Sequence, residues 1–436
     1  AALSSIDAAN CYDSIAHAMT SIIFRALGVP QEAVTSMFIA IQNMMYHLRT
    51  AYGDSTNFAG STILIKYQGL CQGNGAAPAG WAAISITILG AHKRNGHGGY
   101  FRCPITNVNH KLAAILFVDD TDILHVRMDE NETVVEAHAA LQASINSWGG
   151  LLLATGGAFK PPKCFYHLMS FWFKSNGEWM YDKNHEDENL CIGVPMPNGE
   201  MAQIEHLPVT EPKETLGVWS SPSGCNKRAI KSMQSKAQEW IDRAKEGKMM
   251  QRDIWFLTKH QLWPKVSYGL YSNTASLANL NSALQKQYFQ LVPLGGIIRS
   301  APVSLRQLDM GFYGAGCPHV GVECTLEQVN KFMMHYGCLS NNGRKLSMSL
   351  GYMTLETGLS FQPLQLSFER YSTWTTHCWL KSLWEKCHIF KLQISFNDVK
   401  VTFTRARDKW LMKEFIRAGY SSAQLVRLNQ VRKFQQ

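Results

Sequence analysis

One stretch limits what the chain can fold into: Leu112-Ala113-Ala114-Ile115-Leu116-Phe117-Val118-Asp119-Asp120-Thr121-Asp122-Ile123-Leu124. An apolar run enters, two adjacent acids interrupt it, and a second apolar run leaves. Such short, partly β-branched runs predict two buried strands joined by a hairpin with Asp119 and Asp120 at its tip. Adjacent carboxylates repel, so the tip costs stability unless a cation neutralises it. Hard oxygen donors on rigid strands suit Mg²⁺. Taken alone, an Asp-Asp pair reads as a solvated acidic turn, and only other segments can raise it to a site.

Ser4-Ser5-Ile6-Asp7-Ala8-Ala9-Asn10-Cys11-Tyr12-Asp13 supplies a further acid at the end of a short apolar strand. Strands holding Asp7 and Asp119 side by side in one sheet would bring their carboxylates to a common edge. A helix is expected from Asp13, an acceptable N-cap, through Ile15, Met19, Ile22 and Ile23, with Gly28-Val29-Pro30 ending it. A second runs from about Gln31 through Val34, Met37, Phe38, Ile41 and Met45. Ser61 to Lys66 reads as a strand, and Gly69 to Gly75 as a flexible loop. The charge-free run Ala76 to Ala91 contains Pro78 and Gly80 and falls short of the roughly 20 residues a bilayer crossing needs, so it reads as a buried helix. Asn95-Gly96-His97-Gly98-Gly99 is a turn.

Beyond the acidic hairpin, Thr133 to Trp148 has amphipathic helical spacing, with Gly156-Gly157 closing the segment. Lys160-Pro161-Pro162-Lys163-Cys164 introduces an aromatic-rich strand from Phe165 to Phe173. Asn184 to Met201 reads as an exposed insertion, and Glu214 to Trp219 as a strand and turn, with Asp122 on the exit strand facing away from the acids. From Asn226, Ile230, Met233, Ala237, Trp240, Ile241 and Ala244 recur at helical spacing, with Lys227, Arg228, Lys231, Lys236, Arg243, Lys245 and Lys248 on the remainder. Such a face is either solvated or set against a nucleic-acid backbone.

Charge divides the chain in the same way. The 436 residues carry a net +9, but residues 1–150 hold 8 Lys+Arg against 11 Asp+Glu, leaving 34 against 22 for the rest. An acidic first part and a basic second part suggest a metal site followed by a polyanion-holding surface. The chain opens on Ala with no signal-peptide pattern, as expected of a piece of a longer polypeptide. Eleven scattered cysteines without regular spacing suggest reduced thiols, hence an intracellular chain, in nucleus or cytoplasm, that is not secreted. No Walker loop, hydrolase elbow or dinucleotide fingerprint appears. His377-Cys378, Cys387-His388 and Cys317-Pro318-His319 lack zinc-finger spacing.

Several of these segments resemble the ordered motifs of reverse transcriptases. Ile6-Asp7-Ala8-Ala9-Asn10-Cys11-Tyr12-Asp13 is similar to the first palm motif, and Gln72-Gly73-Asn74-Gly75-Ala76-Ala77-Pro78 to the second. Phe117-Val118-Asp119-Asp120 is similar to the aromatic-x-Asp-Asp signature, Pro162-Lys163-Cys164 to the fourth motif, and Leu216-Gly217 to the primer-grip hairpin. The order over about 210 residues resembles the non-LTR, LINE-type retrotransposon enzymes. Val118 stands where Ala or Met is commoner, a small β-branched residue that suits a strand. Ala77 stands where Ser or Thr usually precedes Pro.

The resemblance implies an α+β fold with three parts. Residues 1–222 would form a polymerase right-hand palm, an antiparallel sheet backed by helices, with the fingers expected upstream of Ala1. A mainly helical thumb would span 223–300, and a C-terminal helical region 301–436. It implies an RNA-directed DNA polymerase joining dNTPs to the 3′-hydroxyl of a DNA primer on an RNA template, with two Mg²⁺ ions (Mn²⁺ substituting) and no membrane. Asp7 and Asp119 would be the main metal ligands, Asp120 supporting, with the Ala8 carbonyl completing the shell. Tyr12 would exclude a 2′-hydroxyl, and Gln72 and Gly73 would line the dNTP pocket. Lys163 would protonate the leaving pyrophosphate. Leu216 and Gly217 would hold the primer, and Lys227, Arg228, Lys231 and Lys236 the nucleic-acid backbone. The alternatives are an inactive nucleic-acid-binding remnant of such an enzyme and a relative of the intron maturases.

Overall fold

The computed structural model describes the whole chain except Asn10, 63–65, Gln72, Met128, Glu130, 175–177, 183–189, 397–407 and Gln436. The fold is α+β. It divides into two compact units, one of 1–101, 110–171 and 181–208, the other of 102–109, 172–180 and 209–436.

The first unit is built on β1 (Ala2–Ala9), whose residues are almost all buried. After it come α1 (His17–Ala26), α2 (Gln31–Gln42) and α3 (Ala77–Arg94). The acidic hairpin is β2 (Ala114–Phe117) and β3 (Asp120–His125), followed by α4 (Val134–Ala154). Among the short strands that follow are β4 (Ala158–Phe159), β5 (Phe165–Leu168), β6 (Gly193–Pro195), β7 (Met201–Gln203) and β8 (Glu205–His206). The main sheet runs β8-β5-β1-β3-β2, with β4 also on β1. All its pairings are antiparallel except β5 with β8.

β1 is central because it can be buried on both sides. Ile6 and Ile123 are buried with Ile84, Ile88, Leu141, Ile145 and Trp148 from the helices, and each fully buried aliphatic side chain contributes about 1.5–3 kcal/mol. Thr133 caps α4 in a full capping box with Glu136, a device lost at about 1 kcal/mol if Thr becomes Ala.

Three local expectations are corrected. The first helix begins at His17, not Asp13. The Tyr12 and Ile15 carbonyls accept from Leu70 N–H (2.6 Å) and Gly69 N–H (2.7 Å), and Ala16 N–H donates to Thr155 O (2.8 Å), so these groups are committed to crossing segments before a helix can start. Gly69 is required there: with φ +85°, a Cβ would stand 2.6 Å from the Asp13 backbone. The expected strand 165–173 breaks after Leu168. The expected insertion is a hairpin where it is described: Ile192 and Val194 are fully buried, and Gln142 on α4 exchanges two hydrogen bonds with the Gly193 backbone (2.7 and 2.8 Å). Residues 184–189 of that insertion, 63–65 of the expected strand 61–66, and 397–407 of the expected C-terminal helical region lie outside the described residues.

The long segment of the second unit, from residue 209 on, opens with the hairpin β9 (Lys213–Thr215) and β10 (Val218–Ser220) and the helix α5 (Lys227–Glu246). Helices then dominate, including Val320–His335, Asn341–Thr357, Trp379–Ile389 and Ser422–Gln435. α5 buries Met233, Ala237, Ile241 and Ala244 in a core with Leu262, Leu280, Leu284 and Tyr288, as its apolar spacing requires. Among the described residues, no helix is long and apolar enough to cross a membrane.

Candidate active site

The register of β1 on β3 makes the site. Asp7 stands directly opposite Asp120, with Ile6 opposite Thr121 and Ser5 opposite Asp122. Ala8 N–H donates to the Asp119 carbonyl (3.1 Å). That makes Ala8 and Asp119 the hydrogen-bonded pair and leaves Asp7 and Asp120 in the closer, non-hydrogen-bonded class. Directly opposed side chains share a face, so these two carboxylates meet.

Asp122 does not face away as expected. Two residues along the same strand, it lies on the face of Asp120, and its charge, with those of Asp119 and Asp7, helps push the Asp120 carboxyl above the usual range. Burial is the largest cause of that rise, and Lys163 opposes it. Two unit charges about 5 Å apart repel by about 3 kcal/mol at an effective dielectric near 20, an upper figure for a partly exposed pair.

Lys163 supplies a counter-charge in direct contact with Asp7. The 3-10 turn Pro161–Lys163 fills the gap on the edge of β1 between β5 and β4. Lys160 N–H is held on the Asp7 carbonyl (2.9 Å), and Lys163 Nζ donates to Asp7 Oδ2 (2.8 Å). The Asp7 side chain is 8% exposed and that of Lys163 55%. The Asp7 carboxylate, through both hydrogen bond and charge, holds the Lys163 ammonium above its ordinary pKa. A half-exposed pair contributes about 1 kcal/mol, too little to offset the crowding of the acids by itself.

The hairpin tip is strained. Phe117 pairs with Asp120, leaving Val118 and Asp119 as a two-residue loop. Val118 lies at φ +54°, so it is a turn residue and not the strand residue expected. A left-handed conformation costs an L-residue about 1–2 kcal/mol, and a β-branched one is a true outlier. Its carbonyl accepts a hydrogen bond from the Trp81 indole N–H, which contributes about 1 kcal/mol and so largely offsets the strain. Trp81 also meets the Tyr12 ring edge-on (centroids 6.5 Å apart, planes at 72°).

Tyr12 is half-buried. Burial, then the neighbouring Cys11 and Asp119, raises its phenol. Cys11, driven mainly by burial and next by Asp119, is pushed up to about 11. Gly73 has φ +93° and open space where a side chain would be, so the backbone conformation is what demands glycine. Gln72 lies outside the described residues.

The remaining candidates are in the second unit. Leu216 (φ +52°) and Gly217 (φ +76°) form the tip of the β9–β10 hairpin. Behind it, Arg228 stacks on Trp219 (4.7 Å to the ring centroid). Along α5 the charges separate. Arg243 pairs with Glu239 (2.6 Å) and Lys245 with Asp242 (3.5 Å). Lys227, Arg228 and Lys231 are exposed and Lys236 half-exposed, with no carboxylate partner among the described residues.

Sequence reasoning missed Trp81. Its signal was a single large aromatic in the Ala- and Gly-rich helix that follows the second motif. Three carboxylates on adjoining strand ends, one with its proton affinity raised by burial and then by the others, have the donor chemistry a divalent ion needs. Among the described residues, however, no group of three or more His, Cys, Asp or Glu is arranged to hold a metal. In the side-chain positions present, Lys163 engages Asp7 instead. No protein-family model matches the chain, and no curated protein matches it.

Proposed function

We propose that this chain carries the palm and following helical region of an RNA-directed DNA polymerase of the retrotransposon type. The observation that supports it most is the pairing of Asp7 with Asp120 across two antiparallel strands, beside a turn that presents Asp119. Asp7 and Asp119, supported by Asp120 and the Ala8 carbonyl, would hold two Mg²⁺ or Mn²⁺ ions. When bound, those ions would acidify a primer 3′-hydroxyl and neutralise the departing triphosphate charge. Lys163, whose ammonium is held above its ordinary pKa by Asp7, would give its proton to the leaving pyrophosphate. The Tyr12 ring, braced by Trp81, would pack under the incoming sugar and exclude a 2′-hydroxyl. The cations of the first turns of α5, which have no carboxylate partner among the described residues, would hold phosphates of template and primer through backbone contacts.

The test is primer extension on poly(rA)/oligo(dT) with Mg²⁺, comparing this chain with its Asp119→Asn variant. Extension by the first and loss in the second is expected; equal background from both overturns the proposal. A second reading, a nucleic-acid-binding chain without catalysis, is favoured by the Lys163–Asp7 ion pair occupying the first ligand. It predicts salt-dependent duplex binding that Asp119→Asn leaves unchanged, with no extension.

A further inference from the structure

α3 reaches the acidic hairpin through more than apolar contact. Trp81 and Ser85 lie at i and i+4, on one helix face. Both line a small cavity of about 10 Å³ together with Asp119, Thr121, Ile6, Ala8 and core residues. The indole N–H is bonded to the carbonyl of the strained Val118. The Ser85 hydroxyl is buried and has no hydrogen-bond partner among the described residues. A buried indole N–H usually finds some carbonyl, and a purely structural Trp would need nothing more. Here the carbonyl belongs to the residue in left-handed conformation immediately before Asp119, and the same ring abuts Tyr12. One turn along, a buried hydroxyl without a partner among the described residues lines the same small cavity as that acid.

We propose that Trp81 and Ser85 are positioning residues for the acidic hairpin. Trp81 fixes the peptide that aims Asp119 and Asp120, and braces Tyr12 with the other edge of its ring. Ser85 supplies a hydroxyl donor on the Asp119 side of the cavity. The N–H of Trp81 therefore governs cation affinity, and its ring governs sugar selection. This rests on the polymerase reading for its role in turnover, but the cation-affinity half stands apart from turnover.

The test uses the full chain and four variants: Trp81→Phe, Trp81→Leu, Ser85→Ala and Asp119→Asn. Mn²⁺ binding is read by electron paramagnetic resonance of the free ion, and primer extension is read as kcat, KM for dNTP, Mg²⁺ midpoint and dNTP-over-rNTP preference. Trp81→Phe keeps a ring and loses the donor. It is expected to weaken Mn²⁺ binding about tenfold, in the range seen for partners that orient metal ligands, and to raise the Mg²⁺ midpoint while leaving KM and sugar preference unchanged. Ser85→Ala should weaken Mn²⁺ binding a few-fold, less than Trp81→Phe. Trp81→Leu should in addition lower the preference for dNTP. Mn²⁺ binding that Trp81→Phe weakens, in a chain that extends no primer, overturns polymerisation and supports positioning. Extension abolished by Asp119→Asn, with the same Mn²⁺ affinity and Mg²⁺ midpoint in Trp81→Phe as in the parent, overturns positioning and supports polymerisation. No Mn²⁺ binding by the parent chain overturns both.

Discussion

Two hairpins, one in each compact unit, turn their chains through two residues whose first is a bulky apolar side chain at positive φ. At Val118-Asp119 only the first residue is left-handed, the pattern of a type II′ turn, which favours glycine at that place. At Leu216-Gly217 both are, the pattern of a type I′ turn, and glycine occupies the second place. The first tip carries the charge of Asp119 and is held by a buried indole. The second is held by its own glycine, above the ring of Tyr268, which lies 3.6 Å from where a Gly217 Cβ would stand. The difference teaches where strain is sustained from outside and where it is absorbed locally. Outliers of this kind persist when their surroundings over-determine them, and only the first tip is over-determined by a distant helix.

The largest expected effect separates the tips by chemistry. Asp119→Asn should lower primer extension at least about a hundredfold, measured on poly(rA)/oligo(dT). Leu216→Gly should leave kcat near the parent value and alter only KM for primer. A similar loss in both would break the distinction.

Next comes the counter-charge. Lys163→Met leaves the nearly buried Asp7 without its cation and should lower stability by about 1–2 kcal/mol, discounted because Lys163 is half-exposed. Mg²⁺ should then raise the melting temperature of this variant more than that of the parent. Equal responses to Mg²⁺ would mean that ammonium and metal do not compete for Asp7.

Relief of strain sharpens the comparison further. Val118→Gly and Leu216→Gly should each gain up to about 1 kcal/mol, or about 2–4 °C in melting temperature for a unit of this size. Val118→Gly should do so while losing activity. A fall in stability at either site would show that its side chain, and not its backbone, decides the energetics.

The smallest effect is on pH dependence. The Asp120 carboxyl is raised by burial and by its acidic neighbours, so the fold favours its protonated form. Its stabilising contribution is complete below the unfolded value of about 3.9 and is lost as pH rises through the folded one. Without divalent ions, Asp120→Asn should therefore melt about 1–2 °C higher than the parent at neutral pH and no differently at pH near 3. A parent more stable than the variant at neutral pH would reverse the sign of this account.

The sequence displayed the acidic hairpin, the strand of Asp7, helices α2 to α5 and the Leu216-Gly217 turn, because each is written in local periodicity or in a turn residue. It did not display what depends on another segment. The first helix starts late because residues 69–70 and 155 claim its leading backbone groups. The hairpin after Ile192 is anchored because Val194 enters the core and Gln142 holds the Gly193 backbone. Val118 suits a strand by composition, yet the register of Phe117 on Asp120 forces it into the turn. Trp81 was hidden because a helix rich in alanine and glycine gives no sign of what its one large ring will meet.

The regular alternation along β1 has a genetic consequence. An in-frame loss of one codon between those of Leu3 and Asp7 would exchange the two faces of everything on one side of the gap. Either the carboxylate would be driven toward the helices and an isoleucine into its place, or the strand would have to bulge. Loss of two codons shortens the strand but keeps its faces. A deletion series through this segment should therefore alternate in severity with odd and even length, and a family of sequences descended from this one should accept changes here in pairs.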